Sequence, residues 1–308
     1  MRTALFQHPD DVLHRMQWRH PECPERTAVI IERMEASGLA ADLVRPSPVA
    51  AVSDEDLTRV HPVEHMALLR KLTPHVGLTS IDADTFLAPD SMRAARGAAG
   101  TAVAATDGVI NGRFERAFCA IRPPGHHAET RLAMGFCFFN SIAIAARRAV
   151  EVHGLERVAV VDFDVHHGNG TTEIFAEDPR VMVCSSFQHP FYPGRGTEAT
   201  GDHIVLTPLA EHTGSGTFRQ AIERDWVPAL ERHRPELILV SAGFDAHRDD
   251  PLGGLDLITD DYRWITGLIN DLAHDYANDR VVSLLEGGYD LDALADCAEV
   301  HVAALAGR

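Results

Sequence analysis

The segment VDFDVHHGNG, from Val161 to Gly170, crowds two aspartates and two histidines into a short stretch directly after an apolar run. Asp162, Asp164 and His166 alternate with apolar residues, so an extended backbone points all three side chains to one side. Carboxylates held this close repel one another and lose solvation unless a cation or hydrogen-bond donors compensate. A divalent metal ion meets both requirements.

Asp245, which follows another apolar run, is the expected third ligand beside Asp164 and His166. Three protein ligands with one open position are typical of a catalytic zinc site. Two carboxylates and one imidazole form a harder ligand set than zinc usually has, so iron(II) or another divalent ion stays open. Taken alone, an Asp-x-Asp-x-His string is more often a strand end whose polar side chains bond to turn backbone.

Short β-branched runs alternate with longer amphipathic segments along the chain, which predicts a parallel sheet covered by helices on both faces. One helix is predicted from Pro24 to Gly38 and another from Pro89 to about Gly112. The strand candidates are Thr3 to Phe6, Ala117 to Ile121, Val158 to Val161, Val181 to Cys184, Leu237 to Val240 and Val281 to Leu285.

Four of these strands run directly into polar clusters: FCAI into RPPGHHA, VAVV into DFDVHHGNG, LILV into SAGFDAH, and VVSLL into EGGYD. In an open parallel sheet, ligands bind outside the carboxyl ends of the strands. The four clusters are therefore predicted to meet in one site.

The whole-chain properties set bounds on function. The chain has 308 residues, 45% of them hydrophobic, and neither a repeat nor a change of composition divides it, so we predict one domain over 1–308. Its net charge of −17 argues against binding nucleic-acid phosphates, and it would favour cationic ligands or simply solubility. No apolar run is long enough for a membrane span. Five scattered cysteines predict reduced thiols in a cytoplasmic protein; they are Cys23, Cys119, Cys137, Cys184 and Cys297.

The ordered motifs together resemble the histone deacetylase superfamily, zinc amidohydrolases that include acetylpolyamine amidohydrolases and bacterial deacetylase-like proteins. The motifs are HPECPER (His20 to Arg26), RPPGHHA, MGFCFFN, VDFDVHHGNGT, SAGFDAHRDDPLGG and LEGGYDL. The resemblance spans nearly the whole chain. It implies an arginase-like α/β three-layer sandwich around a mostly parallel eight-stranded sheet, and one zinc ion on Asp164, His166 and Asp245.

The resemblance also implies catalytic roles. His127 is expected to act as general base toward the attacking water and then as general acid toward the departing amine. His126, oriented by Asp162, is expected to stay protonated, and Tyr289 to donate a hydrogen bond to the acetyl oxygen. Asn169 stands where class I relatives carry Asp, which places the chain with class II and should leave His127 less basic.

A substrate tunnel is implied by the same family. Phe136, beside Gly135, and Tyr192 are expected to form its aromatic walls, with Tyr192 standing where many relatives have Phe. Leu252 stands where a polyamine-selective relative places a glutamate, which favours acyl-lysine over acetylpolyamines. Asp84 is expected at the tunnel rim, although a solvated carboxylate is an equal interpretation.

Further ion and channel sites follow from the resemblance. Arg26 is expected to line an internal channel behind the metal, with an ordinary salt bridge as the alternative. One monovalent cation, K⁺ or Na⁺, is expected near Asp162, Asp164, His166, Ser185 and Ser186, and a second near Phe175, Asp178 and Val181.

The expected reaction is hydrolysis of an N-acetyl amide by activated water, with acyl-lysine favoured as the substrate over an acetylpolyamine. Two alternatives stay open: a non-catalytic acyl-lysine or metal-binding module, and a two-manganese ureohydrolase on a related fold. The presence of Tyr289 and both histidines argues against the module. The sequence does not distinguish a monomer from a homodimer.

Overall fold

Parallel strands form the central sheet in a computed structural model that describes residues 2–308. The order across this sheet is first, fourth, ninth, eighth, fifth, sixth and seventh strand in chain numbering, and each neighbouring pair is parallel. The second and third strands pair antiparallel in a separate small sheet. The strands are β1 (Thr3–Gln7), β2 (Thr79–Ser80), β3 (Phe86–Leu87), β4 (Arg116–Ala120), β5 (Val158–Asp162), β6 (Val181–Gln188), β7 (Ile204–Leu209), β8 (Leu237–Ala242) and β9 (Val281–Leu285).

Helices cover both faces of the central sheet. The first, seventh, eighth and ninth helices pack on one face and the second to sixth on the other. The helices are α1 (Glu25–Ala36), α2 (Asp54–Thr58), α3 (Val63–Leu72), α4 (Ser91–Ile110), α5 (Ser141–Glu151), α6 (Asn169–Phe175), α7 (Ser215–His233), α8 (Thr259–Tyr276) and α9 (Leu291–Leu305). No helix within residues 2–308 combines the length and the apolar character that crossing a bilayer requires.

Strand β5 shows why the apolar runs form this architecture. Ala159 and Val161 pack into the core on one face, and Val158 and Val160 pack into the core on the other. A strand buried on both sides needs a continuous apolar run instead of an alternating one. The run ends at Asp162, where the sheet gives way to the polar cluster.

The predicted fold class is confirmed, with one difference: the central sheet of the described chain has seven strands instead of eight. Because an edge strand pairs on one side only, sheet edges vary with little change to the interior. All six strand candidates form, but three strands were not predicted: β2 and β3 of the small sheet, and β7 of the central sheet. Strand β7 contains Pro208, which lacks an amide donor and is tolerated because β7 lies at the edge.

Both predicted long helices form. Helix α1 begins after Pro24 and ends at Ala36, two residues before Gly38, which has a φ of 80°. Helix α4 covers most of the second predicted segment. The five cysteines are free thiols, and all but Cys23 are buried.

A fully buried ion pair joins the segment before α1 to the loop after β4. Glu22 accepts hydrogen bonds from Arg122 Nε and Nη2, each at 2.5 Å, and from Arg26 Nη1 at 3.3 Å. Burial raises the pKa of the Glu22 carboxyl, but the Arg122 guanidinium and the His14 imidazole together outweigh burial, and the net direction is downward. The carboxylate is therefore charged, and it depends on its partners for compensation.

Replacing Arg122 by Ala should destabilise the fold by about 3–5 kcal/mol, because it leaves a buried carboxylate without its main partner. Urea denaturation measures this loss. Arg263→Ala is the matched control, since Arg263 pairs with Asp260 at the surface, where both side chains are more than half exposed, and should cost about 0–1 kcal/mol. Equal losses in the two variants would contradict the prediction.

Candidate active site

Four loops converge at the carboxyl ends of four adjacent strands, β4, β9, β8 and β5. The loop after β4 carries His126 and His127, and the end of β5 leads into the Asp164 and His166 segment. The loops after β8 and β9 carry Asp245 and Tyr289. Adjacency in the sheet therefore brings together residues that are far apart along the chain, as the sequence predicted.

Asp164, His166 and Asp245 form a cluster whose candidate ligand atoms all lie within 4.8 Å of one another. His166 Nδ1 lies 3.1 Å from Asp164 Oδ1 and 3.2 Å from Asp245 Oδ2. Burial lowers the pKa of His166, but hydrogen bonds to Asp164 and Asp245 raise it to about 10. The two carboxylates thus create a strong demand for positive charge at this nitrogen.

Backbone groups hold the two carboxylates in place. Gly287 N–H donates to Asp164 Oδ2 and Val165 N–H donates to Asp245 Oδ1, both at 2.8 Å. A Cβ at Gly287 would lie 2.0 Å from Asp245 Oδ2, and one at Gly243 would lie 2.1 Å from Asp164 Oδ2. Only glycine fits this cradle. Three fixed ligand atoms from two carboxylates and one imidazole suit a divalent ion.

The two adjacent histidines have different partners. His126 Nδ1 lies 2.9 Å from Asp162 Oδ2, whereas His127 Nδ1 lies 2.8 Å from Asn169 Oδ1. Burial lowers the pKa of His126, but the Asp164 and Asp162 carboxylates outweigh it and raise the pKa well above its usual value. Burial lowers the pKa of His127 well below that value, and His126 adds to this effect. The surroundings therefore favour the protonated form of His126 and the neutral form of His127, the directions that their predicted roles require.

A cavity of 420 Å³ opens from this cluster to the surface. Phe136 lies against Tyr289 with ring centroids 5.8 Å apart, and Tyr192 lies edge-on to His127 at 5.1 Å. Phe191, which the sequence reasoning missed, stacks on His166 at 5.4 Å. Its neighbour Tyr192 was predicted from the family pattern. The sequence alone did not show that Phe191 would also line the cavity.

The backbone at Gly135 and Phe136 is shaped to fit the cavity wall. Both residues have positive φ angles, 55° and 67°, and Phe136 N–H donates to Thr85 Oγ1 at 3.1 Å. A Cβ at Gly135 would lie 2.4 Å from His127 Cδ2. A non-glycine residue at positive φ is strained, so the surrounding contacts must hold Phe136 in place.

The predicted rim residues Asp84 and Leu252 both line the cavity. Asp84 is half-buried, and its Oδ1 accepts a hydrogen bond from Thr85 Oγ1 at 3.1 Å. Burial raises the pKa of its carboxyl, and Asp82 raises it further. Leu252 N–H donates to Asp250 Oδ1 at 2.9 Å. Whether either residue contacts substrate stays a prediction.

Tyr289 lies half-buried between the cavity and Arg26. The Arg26 guanidinium carbon is 4.8 Å from the Tyr289 ring centroid, and Arg26 Nε donates to Gly288 O at 2.6 Å. Burial raises the pKa of the Tyr289 phenol well above its usual value, so the hydroxyl stays a donor. Arg26 also pairs with Glu22, which fits the salt-bridge interpretation; the internal channel stays a prediction.

The residues of the first monovalent-cation prediction lie on adjacent strands, where Asp162 is in register with Ser185. Asp162 Oδ1 accepts a hydrogen bond from Asp164 N–H at 3.1 Å. At the second site, Phe175 O accepts from His203 Nε2 at 2.9 Å, a contact that a cation would have to share. Both sites stay predictions. Their other residues are His166 and Ser186 in the first, and Asp178 and Val181 in the second.

Two buried carboxylates that support the site were missed. Glu286 Oε2 accepts from the N–H groups of Gly125 and His126, at 2.7 and 3.1 Å. Asp250 Oδ2 accepts from Tyr289 N–H at 2.6 Å. Glu286 stands in the motif LEGGYD without a basic neighbour, which was a usable signal, whereas Asp250 follows Arg248 in HRDDPLGG and resembled a surface ion pair.

A parallel α/β sheet with an Asp–His–Asp cluster and paired histidines at its carboxyl edge defines a protein of the arginase and deacetylase fold class. The family model of the histone deacetylase domain matches residues 20–305, and the chain belongs to this family. The HD domain of HDA15 superimposes with a TM-score of 0.91 at 31% identity, covering 99% of this chain and 90% of that domain.

Two curated relatives illustrate the range of names in the family. A histone deacetylase-like amidohydrolase from Pseudomonas aeruginosa is 40% identical over 296 residues, covering 94% of this chain and 77% of the relative. The human polyamine deacetylase HDAC10 is 35% identical over 330 residues, covering 100% of this chain and 48% of the relative. The chain thus spans about half the length of HDAC10. The family and these names indicate a deacetylase or amidohydrolase.

Proposed function

We propose that this protein is a zinc-dependent amidohydrolase that removes acetyl or other short acyl groups from lysine side chains. The observation that carries the proposal is the convergence of the Asp164, His166 and Asp245 cluster with His127 and Tyr289 at one end of an aromatic-walled cavity. Each residue type has a separate task in amide hydrolysis, and His166, His127 and Tyr289 line the same cavity.

The metal is the first task. The fixed carboxylate oxygens and His166 Nδ1 fit a divalent ion, and the charge demand on His166 agrees with a cation there. When bound, such an ion supplies Lewis-acid chemistry: it polarises an acyl carbonyl and makes water acidic enough to react near neutral pH. The family favours zinc.

Proton transfer is the second task. His127 is neutral, and its Nδ1 is engaged by Asn169, which leaves Nε2 free to take a proton on the cavity side and return it to the leaving amine. His126 is positively charged next to Asp162, so it stabilises developing negative charge without giving up its proton. The raised pKa of His126 suits the charge-stabilising role, and the lowered pKa of His127 suits a ring that is neutral before it accepts a proton.

Stabilisation of the oxyanion is the third task. Tyr289 presents a protonated phenol to the cavity and is held from behind by Arg26. A hydroxyl that is fixed before the reaction can donate to the carbonyl oxygen as its negative charge grows.

The cavity supports an acyl-lysine substrate. Phe136 and Tyr192 supply aromatic surface suited to a methylene chain. Leu252 adds an apolar side chain at the mouth, where a distant ammonium group would need a carboxylate. A second candidate, acetylpolyamine hydrolysis, is favoured by the identity to HDAC10 and by the acidic Asp84 in the cavity.

A comparison of kcat/KM for an acetyl-lysine peptide and for acetylputrescine tests the substrate proposal. The zinc-loaded protein should prefer the peptide. Leu252→Glu should move the ratio of the two kcat/KM values toward acetylputrescine by about tenfold, which corresponds to about 1.4 kcal/mol from one added ion pair. Leu252→Gln is the control, since it adds a polar group of similar size without charge. A wild-type preference for acetylputrescine would overturn the acyl-lysine proposal but leave amide hydrolysis intact.

A further inference from the structure

Glu129 lies on the far side of Asn169 from His127, in contact with the Asn169 amide. We infer that Glu129 is a positioning residue that fixes the orientation of this amide and, through it, the tautomer of His127. The inference rests on the proposed function, because it concerns the base of that reaction. It is argued from the atoms that surround the Asn169 side chain.

The two ends of the Asn169 amide have different surroundings. Its Nδ2 lies 2.7 Å from Glu129 Oε1, 3.5 Å from His127 O and 3.5 Å from Met134 Sδ, all of them acceptors. Its Oδ1 lies 2.8 Å from His127 Nδ1. Asn169 is only 2% exposed, so water has little access to replace these contacts.

A half-turn of the amide would reverse both contacts. It would place Oδ1 against the Glu129 carboxylate, where two acceptors repel, and Nδ2 against His127 Nδ1. If Asn169 Nδ2 donated to His127 Nδ1, the neutral imidazole would have to carry its proton on Nε2. His127 would then have no lone pair facing the cavity with which to accept a proton. With Oδ1 facing Nδ1, as in the structure, the hydrogen bond requires the proton on Nδ1 and leaves Nε2 free.

The need for Glu129 arises from the residue type at position 169. An aspartate accepts a hydrogen bond with either oxygen, so a half-turn changes nothing. An asparagine has one acceptor end and one donor end, and a second group must select between them. Glu129 is that group.

Arg195 pairs with both carboxylate oxygens of Glu129 from the solvent side, with its own side chain half exposed. Arg195 belongs to the loop that carries Phe191 and Tyr192. The competing explanation is that Glu129 affects activity only by tethering this loop. The orienting role and the tether differ in one respect, since only the orienting role requires an acceptor facing Asn169.

Kinetics on zinc-loaded variants with an acetyl-lysine peptide test the inference. Glu129→Leu should lower kcat by about 10- to 100-fold, part of the contribution of a general base, with KM little changed. Glu129→Gln retains an acceptor and should keep most of kcat. Arg195→Gln should also keep most of it. Should leucine prevent folding, Glu129→Ala removes the same acceptor.

The control and the double variant isolate the pathway. Glu173→Gln is the matched control for Glu129→Gln. Glu173 accepts hydrogen bonds from the N–H and Oγ1 of Thr130, the residue next to Glu129, but does not bond to Asn169. Its kcat should be unchanged. In the Asn169→Ala background, Glu129→Leu should cause no further loss. An equal loss in Arg195→Gln and Glu129→Leu, or additive losses in the double variant, would overturn the inference.

Imidazole nitrogen NMR gives a readout that does not depend on turnover. The zinc-loaded wild type should show His127 protonated on Nδ1, and Glu129→Leu should shift the population toward Nε2 protonation. An unchanged tautomer in Glu129→Leu and Glu129→Ala would refute the orienting role. Absence of hydrolysis in the wild type would instead refute the proposed function, so the two failures are distinguishable.

Discussion

Asp245→Ala should lose bound zinc and hydrolytic activity together. Asp245 supplies one of three ligand atoms in a cluster where each lies within 4.8 Å of the others. A Lewis-acid metal contributes several kcal/mol of transition-state stabilisation, so its loss should lower kcat/KM by roughly 10³-fold or more. Metal analysis after zinc loading and a peptide deacetylation assay measure the two effects.

The alanine variant also removes the acceptor for Val165 N–H, so Asp245→Asn is needed beside it. The asparagine keeps an acceptor and the side-chain volume but removes the charge. Asp261→Asn is the control and should keep zinc, because Asp261 is also fully buried and accepts from a backbone amide, Ile258 N–H at 3.0 Å, but does not belong to the ligand cluster. One zinc ion per chain in both Asp245 variants would show that Asp245 is not a ligand.

Tyr289→Phe should retain zinc and lose most turnover. The phenol lies outside the ligand cluster, and the ring would stay packed between Phe136 and Arg26. Removal of one oxyanion donor costs about 3 kcal/mol, which is roughly 100-fold in kcat. The protein should bind one zinc ion per chain as before, and kcat should fall more than KM changes.

Tyr276→Phe is the matched control, because the Tyr276 ring also lies beneath an arginine, with the Arg234 guanidinium carbon 5.3 Å from its centroid. It does not line the cavity and should keep normal turnover. Near-normal kcat in Tyr289→Phe would reject the oxyanion role. If hydrolysis by the wild type were also weak, the two results together would favour the non-catalytic binding module.

Much of the framework could be predicted because the physical rules involved are local. The doubly buried β5 run predicted a strand, and the polar residues after it predicted a site at the strand end. The edge strand β7 escaped prediction because Pro208 and its partly exposed residues give no regular pattern. The family pattern named residues such as Asn169 without any knowledge of their neighbours, and their roles stay predictions.

The supporting residues were harder to predict because their function depends on partners far away in the chain. Glu286 supports the site by accepting hydrogen bonds from the Gly125 and His126 amides, which lie 160 residues or more away in the chain. In the sequence, Glu129 resembles an ordinary acidic loop residue. Only the structure shows that its Oε1 lies 2.7 Å from Asn169 Nδ2. No periodicity or spacing rule connects such pairs.

The sequence by itself determined the apolar strands, the order of the polar clusters that follow them, and the side-chain types that could bind a metal and move a proton. Only the tertiary structure decided which of these atoms meet, how glycine-lined backbone holds the carboxylates, and which neighbours shift the pKa of each histidine. The reason is physical: burial and hydrogen bonding set the pKa and the orientation of each group, and both depend on neighbours that folding alone brings together.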